Sequence, residues 1–304
     1  MNQNRFLLLG LALGMTLTVS GCGNNIFEGV GKQDTDDAGF KDVTDLTEHI
    51  ENATTPEEFE QVADAVTVLL DDPEVTTSDA QKLLLLRSKA VVGQNDLGVI
   101  QLVNTVADLD DQEDSNIFEI MRELVGDVPS DELQAAAADI NVSNALSDEG
   151  GQVTEDNEQL YRGVVNAMVV NQMLTSQFNI SEDEVTLVDD SESIVDIMAA
   201  LFTPDTTIQP VGLADAVIPS LPYFYQEMQA GFEASDALPD DVREDMNNIG
   251  EAVNEMGRLN TAMQDSNGTF TVDGDTYEVG SSLDSSVREE SVLAAINAIF
   301  SDVL

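Results

Sequence analysis

Hydrophobic residues recur at helical spacing through most of the chain, in blocks that short polar turns separate. The first clear block begins at Thr55-Pro56-Glu57-Glu58, a capping box with Pro at the first helical position. Its apolar residues fall on one helical face: Phe59, Val62, Ala63, Val66, Leu69 and Leu70. The pattern therefore predicts a helix from residue 56 that ends before Asp71-Asp72-Pro73.

Similar blocks predict further helices over most of the remaining chain. Thr77 or Ser78 is expected to cap the next helix, and others are expected over 97–109, 115–125, 129–141, 194–202, 239–263 and 287–304. Residues 160–178 are apolar nearly all round, which predicts a buried central helix. Pro219 and Pro222 interrupt the pattern over 213–232, and they predict a kink or a split there. Ser181-Glu182-Asp183-Glu184 is another capping-box pattern and predicts a helix start.

One segment alternates apolar and polar residues as a β-hairpin does. Residues 269–279 flank Asp273-Gly274, the pair that a type I′ turn favours. Phe270, Val272, Tyr277 and Val279 can share one face, which we expect to pack on helices. The predicted fold class is all-α, either stacked helical hairpins or an irregular helical bundle, with one small β-hairpin.

The polar stretch around Gly150-Gly151 is the best internal boundary. We expect a helical-hairpin subdomain over 40–140 and a second helical subdomain, with the hairpin, over 154–304. Residues 57–126 resemble tetratricopeptide-type repeats, through Leu69-Leu70-Asp71-Asp72-Pro73 after one helix and Gly93-Gln94-Asn95-Asp96 after the next. The acidic ends of these helices are spaced nearer 40 residues apart than the 34 residues usual for such repeats. The resemblance implies stacked hairpins with a concave binding surface.

The N-terminal residues predict the cellular location of the protein. Arg5 precedes an apolar run, Phe6 to Val19, which is too short for a stable membrane span and which ends in Val19-Ser20-Gly21-Cys22. This resembles the lipobox of bacterial lipoproteins. The resemblance implies a signal peptide over 1–21, cleavage between Gly21 and Cys22, and an acylated Cys22 that anchors the chain in the bilayer. Gly23 stands where many inner-membrane lipoproteins have Asp, so the implied location is the cell envelope, with the outer membrane favoured. Residues 22–39 are polar and predict a flexible tether.

The charge is strongly one-sided, with 59 Asp and Glu against 11 Lys and Arg, a net charge of −48. Such a chain is not expected to bind nucleic-acid phosphates. An acidic solvated surface suited to a saline habitat is the simplest interpretation, and bound divalent cations or a basic partner surface are the alternatives.

Sequence signatures of enzymes are mostly missing. The chain has one His and one Cys, which exclude a multi-histidine metal centre, a thiolate zinc site and a disulfide framework. His49 is expected to be an exposed helix residue, and we expect no catalytic activity. The acidic residues Asp34, Asp36, Asp42 and Asp45, with Gly39 at position 6, partly match a calcium loop. Position 5 is Ala38, so Ca²⁺ is a weak candidate and no other cofactor is expected.

Two functions remain open from the sequence. The favoured one is a non-enzymatic, lipid-anchored scaffold that binds another envelope protein. The alternative is a carrier for a small apolar or lipidic ligand between the Met-rich helices of the second half. For a ligand or a partner, the candidate residues are Tyr223, Phe224, Tyr225, Met246 and Met256. Core packing is the simpler explanation for all five.

Overall fold

A computed structural model of the chain describes residues 42–72, 74–95, 125, 128–147, 156–181, 184–189, 191–203, 220–235 and 240–301. Most of the described residues are helical, and two small antiparallel hairpins accompany the helices, which confirms the predicted all-α class. The helices are α1 (Val43–Asn52), α2 (Pro56–Leu70), α3 (Thr77–Gln94), α4 (Ser130–Ala145), α5 (Asp156–Thr175), α6 (Ile194–Phe202), α7 (Leu221–Ala234), α8 (Asp240–Gln264) and α9 (Ser285–Ser301). The strands are β1 (Phe178–Ile180), β2 (Val185–Leu187), β3 (Thr269–Val272) and β4 (Asp275–Glu278).

Helix starts follow the capping residues closely. The Thr55 side chain accepts a hydrogen bond from the Glu58 backbone N–H at 3.3 Å, and the Glu58 carboxylate accepts one from the Thr55 N–H at 3.1 Å. The capping box of α2 is thereby confirmed. At α3 the cap is Thr76, one residue before the predicted Thr77 or Ser78, because its hydroxyl reaches the Asp79 N–H at 3.2 Å. Pro222 lies in the first turn of α7, where it is compatible with a helix, and Ser220 caps that helix.

The capping-box prediction at Ser181 is wrong. Ser181 lies in the turn that joins β1 to β2, and its hydroxyl donates to the Glu184 carbonyl at 2.8 Å. A Ser side chain can bond the backbone three residues later both in a helix cap and in a tight turn, so the local pattern does not distinguish them. The Asn297 side chain of α9 completes this hairpin, since its amide bonds both the N–H and the carbonyl of Val185, at 2.7 and 2.9 Å.

The predicted hairpin over 269–279 is confirmed. Asp273 and Gly274 both have positive φ, 51° and 88°, as a type I′ turn requires. Phe270 lies opposite Tyr277 in the antiparallel register, and the Phe270 side chain is buried against the helices. Arg288 of α9 fastens the hairpin to the helices, because its guanidinium donates to the carbonyls of Val279 and Met263.

Helix α5 is central and buried, as its all-round apolar sequence predicts. Every residue from 160 to 171 is buried, and α4 and α7 pack against this helix. The crossing with α7 is close: a Cβ on Gly231 would lie 2.5 Å from the Gly163 backbone nitrogen. One hydrophobic core joins side chains from Leu85 of α3 to Phe300 of α9, so apolar packing continues across the polar stretch near residue 150. A second cluster holds α1, α2 and α3 together.

Several predictions fall outside the described residues. These are the signal peptide, the tether, and the helices over 97–109 and 115–124. The repeat resemblance and the two subdomains stay predictions. No helix in the described part of the chain combines the length and apolarity needed to cross a membrane.

Candidate functional site

A buried ion pair joins α3 to α4. Arg87 donates two hydrogen bonds to the Asp139 carboxylate, Nε to Oδ2 at 2.7 Å and Nη2 to Oδ1 at 2.5 Å. Only 8% of the Arg87 surface and 2% of the Asp139 surface are exposed. Burial raises the pKa of the Asp139 carboxyl, and the Arg87 guanidinium acts against that shift. The two-point contact fixes the register of the two helices.

Further polar contacts extend from this pair to α5. Asn141 of α4 and Asn166 of α5 exchange two hydrogen bonds, at 2.9 and 2.8 Å, between their side-chain amides. Ser88 of α3 lies 3.1 Å from the Tyr161 hydroxyl of α5, and burial raises the pKa of that hydroxyl. Helix α4 was expected to end near Asn141. It continues to Ala145 because Asn141 has a buried partner instead of facing solvent.

A second ion pair joins α5 to α7. The Arg162 guanidinium donates to the Glu227 carboxylate, with Nε to Oε2 at 3.0 Å, and also to Gln159 at 3.1 Å. Together these contacts form a buried polar network that ties α3, α4, α5 and α7 to one another. The network members line neither of the grooves described below, and their contacts hold the four helices together.

The aromatic residues singled out in the sequence lie in the core. Phe224 is fully buried and packs edge-on against Tyr223, with ring centroids 5.3 Å apart. Tyr225 is 5% exposed and lies against α8, where a Cβ on Gly250 would overlap its hydroxyl. Met256 is fully buried, and the side chain of Met246 lies outside the described part. For the described members of this set, core packing accounts for their positions.

The other sequence candidates are only partly described. Gly21, Cys22, Asp34 and Asp36 lie outside the described residues. Asp42 caps α1, and its Oδ1 accepts hydrogen bonds from the backbone N–H groups of Thr44 at 2.8 Å and Asp45 at 3.0 Å. Among the described residues, no three His, Cys, Asp or Glu side chains are grouped so that they could hold a metal ion. His49 lies on α1 and is half-buried, where an exposed position was expected.

The surface carries a groove between α4, α5 and α6, which we call the α6 groove. Its volume is about 730 Å³. Helix α6 lines it with Asp196, Ile197, Ala200 and Leu201, which are spaced as one helical face, and the residues just before the helix, 191–193, also line it. The opposite sides are formed by Met173 of α5, by Ser176 and Gln177 just after that helix, and by Ser130 and Gln134 of α4. Sequence reasoning missed this groove, because periodicity identifies a helix face without saying what covers it.

A second groove lies between α8, the β3–β4 hairpin and α9, with a volume of about 510 Å³; we call it the α8 groove. Its charged lining residues include Glu251, Glu255, Arg258 and Asp273. Arg258 donates to both Glu255 carboxylate oxygens, at 2.5 and 2.7 Å, and its guanidinium carbon lies 5.8 Å from the Phe270 ring centroid. This groove therefore carries its own counter-charge.

The described arginines all bind groups of the protein itself. Four arginine side chains are described, and each has a partner on this chain: Arg87 and Arg162 in buried pairs, Arg258 with Glu255, and Arg288 on backbone carbonyls. Burial lowers the pKa of the Lys89 ammonium. The chain as a whole has a net charge of −48, and these described arginines are paired with groups of the protein itself. A charged residue inside an apolar run, such as Arg87 after Leu83–Leu86, is the sequence signal that could have identified the buried pairs.

Comparison with known proteins gives no relative for this chain: no family model, no curated protein and no solved structure matches it.

Proposed function

We propose that the chain is a non-enzymatic lipoprotein of the bacterial cell envelope, whose helical body binds another envelope protein. The anchor is the acylated Cys22, in the outer membrane by preference, and residues 22–39 are the tether. Support for the anchor comes from the lipobox-like order of the first 22 residues. No other segment is needed to hold the body at the bilayer, because two or three acyl chains suffice.

The observation that carries the binding role is the distribution of charge over a rigid body. Buried ion pairs and amide pairs lock α3, α4, α5 and α7, which favours a surface of fixed shape. The four arginine side chains that the structure describes bind groups of the protein itself, while exposed carboxylates such as Glu192 and Asp196 remain at the surface. A body of this kind is suited to a basic protein surface, whose approach it would accelerate and orient.

The test is mild-detergent purification of the full-length protein from membranes of its source bacterium, followed by mass spectrometry of everything that co-elutes. We expect one stoichiometric protein partner that is lost as the salt concentration rises, since a charge-driven contact is screened. A Cys22→Ser variant should leave the membrane fraction and lose its acyl mass. An eluate without any protein partner at low salt would refute the binding role.

The same purification tests the carrier alternative. Met168, Met198, Met228, Met256 and Met263 are buried in the continuous core, where they pack as ordinary core residues. The described structure therefore gives this alternative no specific support. A stoichiometric lipid or metabolite without a protein partner would establish it in place of the docking role.

A further inference from the structure

The α6 groove combines an apolar base with an acidic rim. Ile197 and Leu201 are nearly buried and belong to the core, and the half-buried Met173 packs against it. Ala200 is exposed on the groove wall and has only a methyl side chain. The small side chain at this position leaves the apolar base open from outside.

The charge of the groove has one sign. Glu192 and Asp196 are both exposed, and they are its charged lining residues. No Lys or Arg is found among the described residues that line it. In the α8 groove, by contrast, Arg258 already neutralises Glu255. The α6 groove thus leaves two carboxylates without a cationic side chain beside them in the lining.

We propose that the α6 groove binds a basic amphipathic segment of a partner protein. Apolar side chains of that segment would rest on Ile197, Leu201 and Met173, and its Lys or Arg residues would pair with Glu192 and Asp196. The volume lies in the range of pockets that hold a few anchoring side chains. Many peptides are recognised as an amphipathic helix that lies in an apolar groove, with anchoring side chains three and four residues apart. This partner chemistry rests on the proposed function and adds the place and the kind of segment.

A matched pair of variants on α6 tests the proposal. Ala199 and Ala200 are adjacent and exposed, and Ala200 lines the groove while Ala199 does not. Ala199→Arg and Ala200→Arg change the net charge of the protein equally. They also place the same long side chain on the same helix. Any difference in binding between them reports on the groove and not on the overall charge.

The probe is a fluorescein-labelled peptide of 14 residues made of Leu and Lys in helical register, titrated with the full-length protein in detergent at about 150 mM salt. Fluorescence anisotropy gives the dissociation constant. We expect Ala200→Arg to weaken binding about tenfold or more, and Ala199→Arg to weaken it less than about twofold, because an added positive charge repels a basic peptide most strongly at contact distance. A peptide with Gln in place of Leu should bind about tenfold more weakly than the Leu and Lys peptide, since it lacks the apolar anchors.

A second comparison tests the carboxylates. Asp196→Asn in the α6 groove should weaken peptide binding several-fold more than Glu251→Gln in the α8 groove, although both remove one negative charge. Circular dichroism at 222 nm checks that each variant stays folded. Equal effects of Ala199→Arg and Ala200→Arg would overturn the groove assignment. That result would leave the proposed function intact if a protein partner still co-purified, so the two failures are distinguishable.

Discussion

Breaking the Arg87–Asp139 pair should lower the free energy of unfolding by an amount that depends on which partner is removed. Removing one member of a buried ion pair typically costs about 3–5 kcal/mol, because the other charge is left without a partner in the interior. A carboxylate can escape that penalty by binding a proton, whereas a guanidinium cannot lose one. We therefore expect Asp139→Asn to lie near the upper end of this range, and Arg87→Met near the lower end.

The pH dependence should separate the two variants. Burial already raises the pKa of Asp139, and without the guanidinium the shift in Arg87→Met is larger. The folded state then binds more protons than the unfolded state at pH values above the unfolded pKa of about 4. The free energy of unfolding of Arg87→Met, relative to wild type, should consequently fall by about 1.4 kcal/mol per pH unit between the folded pKa of Asp139 in wild type and its higher folded pKa in the variant. Asp139→Asn has no carboxyl at this position, so its free energy of unfolding relative to wild type should show no such fall with rising pH.

The assay is urea unfolding of the purified protein, followed by circular dichroism at 222 nm at pH 5, 6, 7 and 8. Comparing each variant with wild type at the same pH cancels the effect of the other carboxylates. The double variant Arg87→Met/Asp139→Leu is the control. It should lie within about 2 kcal/mol of wild type or be more stable, since apolar replacement of a buried pair is often neutral or favourable. A cost below about 1 kcal/mol for Asp139→Asn would refute the burial argument, as would a flat pH profile for Arg87→Met.

Three further predictions test packing, ionisation and charge. Gly231→Ala should destabilise the protein by about 1–3 kcal/mol in urea unfolding, because its Cβ would lie 2.5 Å from the Gly163 backbone nitrogen. Gly257→Ala, whose Cβ would meet only ring atoms of Phe202, the nearest at 3.1 Å, should destabilise less than Gly231→Ala, and equal losses would contradict this. Because burial raises the pKa of Tyr161, the folded state keeps that proton longer than the unfolded state does. The contribution of this group to the free energy of unfolding is then fully present below about pH 10, and it falls above that pH by about 1.4 kcal/mol per pH unit. Tyr161→Phe should reduce that slope. The melting temperature should rise with NaCl or millimolar Ca²⁺, because screening or binding relieves the repulsion of a −48 chain, and a constant value across the series would exclude this.

Residue patterns alone were enough for part of the local structure. The Thr55 capping box, the Asp273-Gly274 turn and the bounds of α6 could be read directly, because each depends on hydrogen bonds or dihedral angles within a few residues. The same locality explains the error at Ser181. Its hydroxyl makes a bond to the backbone that serves a turn as well as a cap, and only the packing of β1 and β2 decides between them.

The candidate site could not be predicted in the same way. Tyr223, Phe224 and Tyr225 formed the most ligand-like group in the sequence, and the structure places them in the core. The residues of the α6 groove come from three helices, and Ser130 is distant in the chain from Ala200. Hydrophobic periodicity does not report which exposed faces meet to form a concave surface.

The sequence by itself determined the helical class, the hairpin and the overall charge, because these follow from spacing, turn chemistry and composition. The lipobox-like N-terminus predicts a location in the cell envelope, which stays a prediction. Only the tertiary structure decided that Arg87 pairs with Asp139, 52 residues away, that Asn141 continues a helix, and that three helix faces enclose a groove. Those outcomes depend on contacts between segments that are distant in the chain. A buried charge or amide needs a partner, but its own local sequence does not specify which residue supplies that partner.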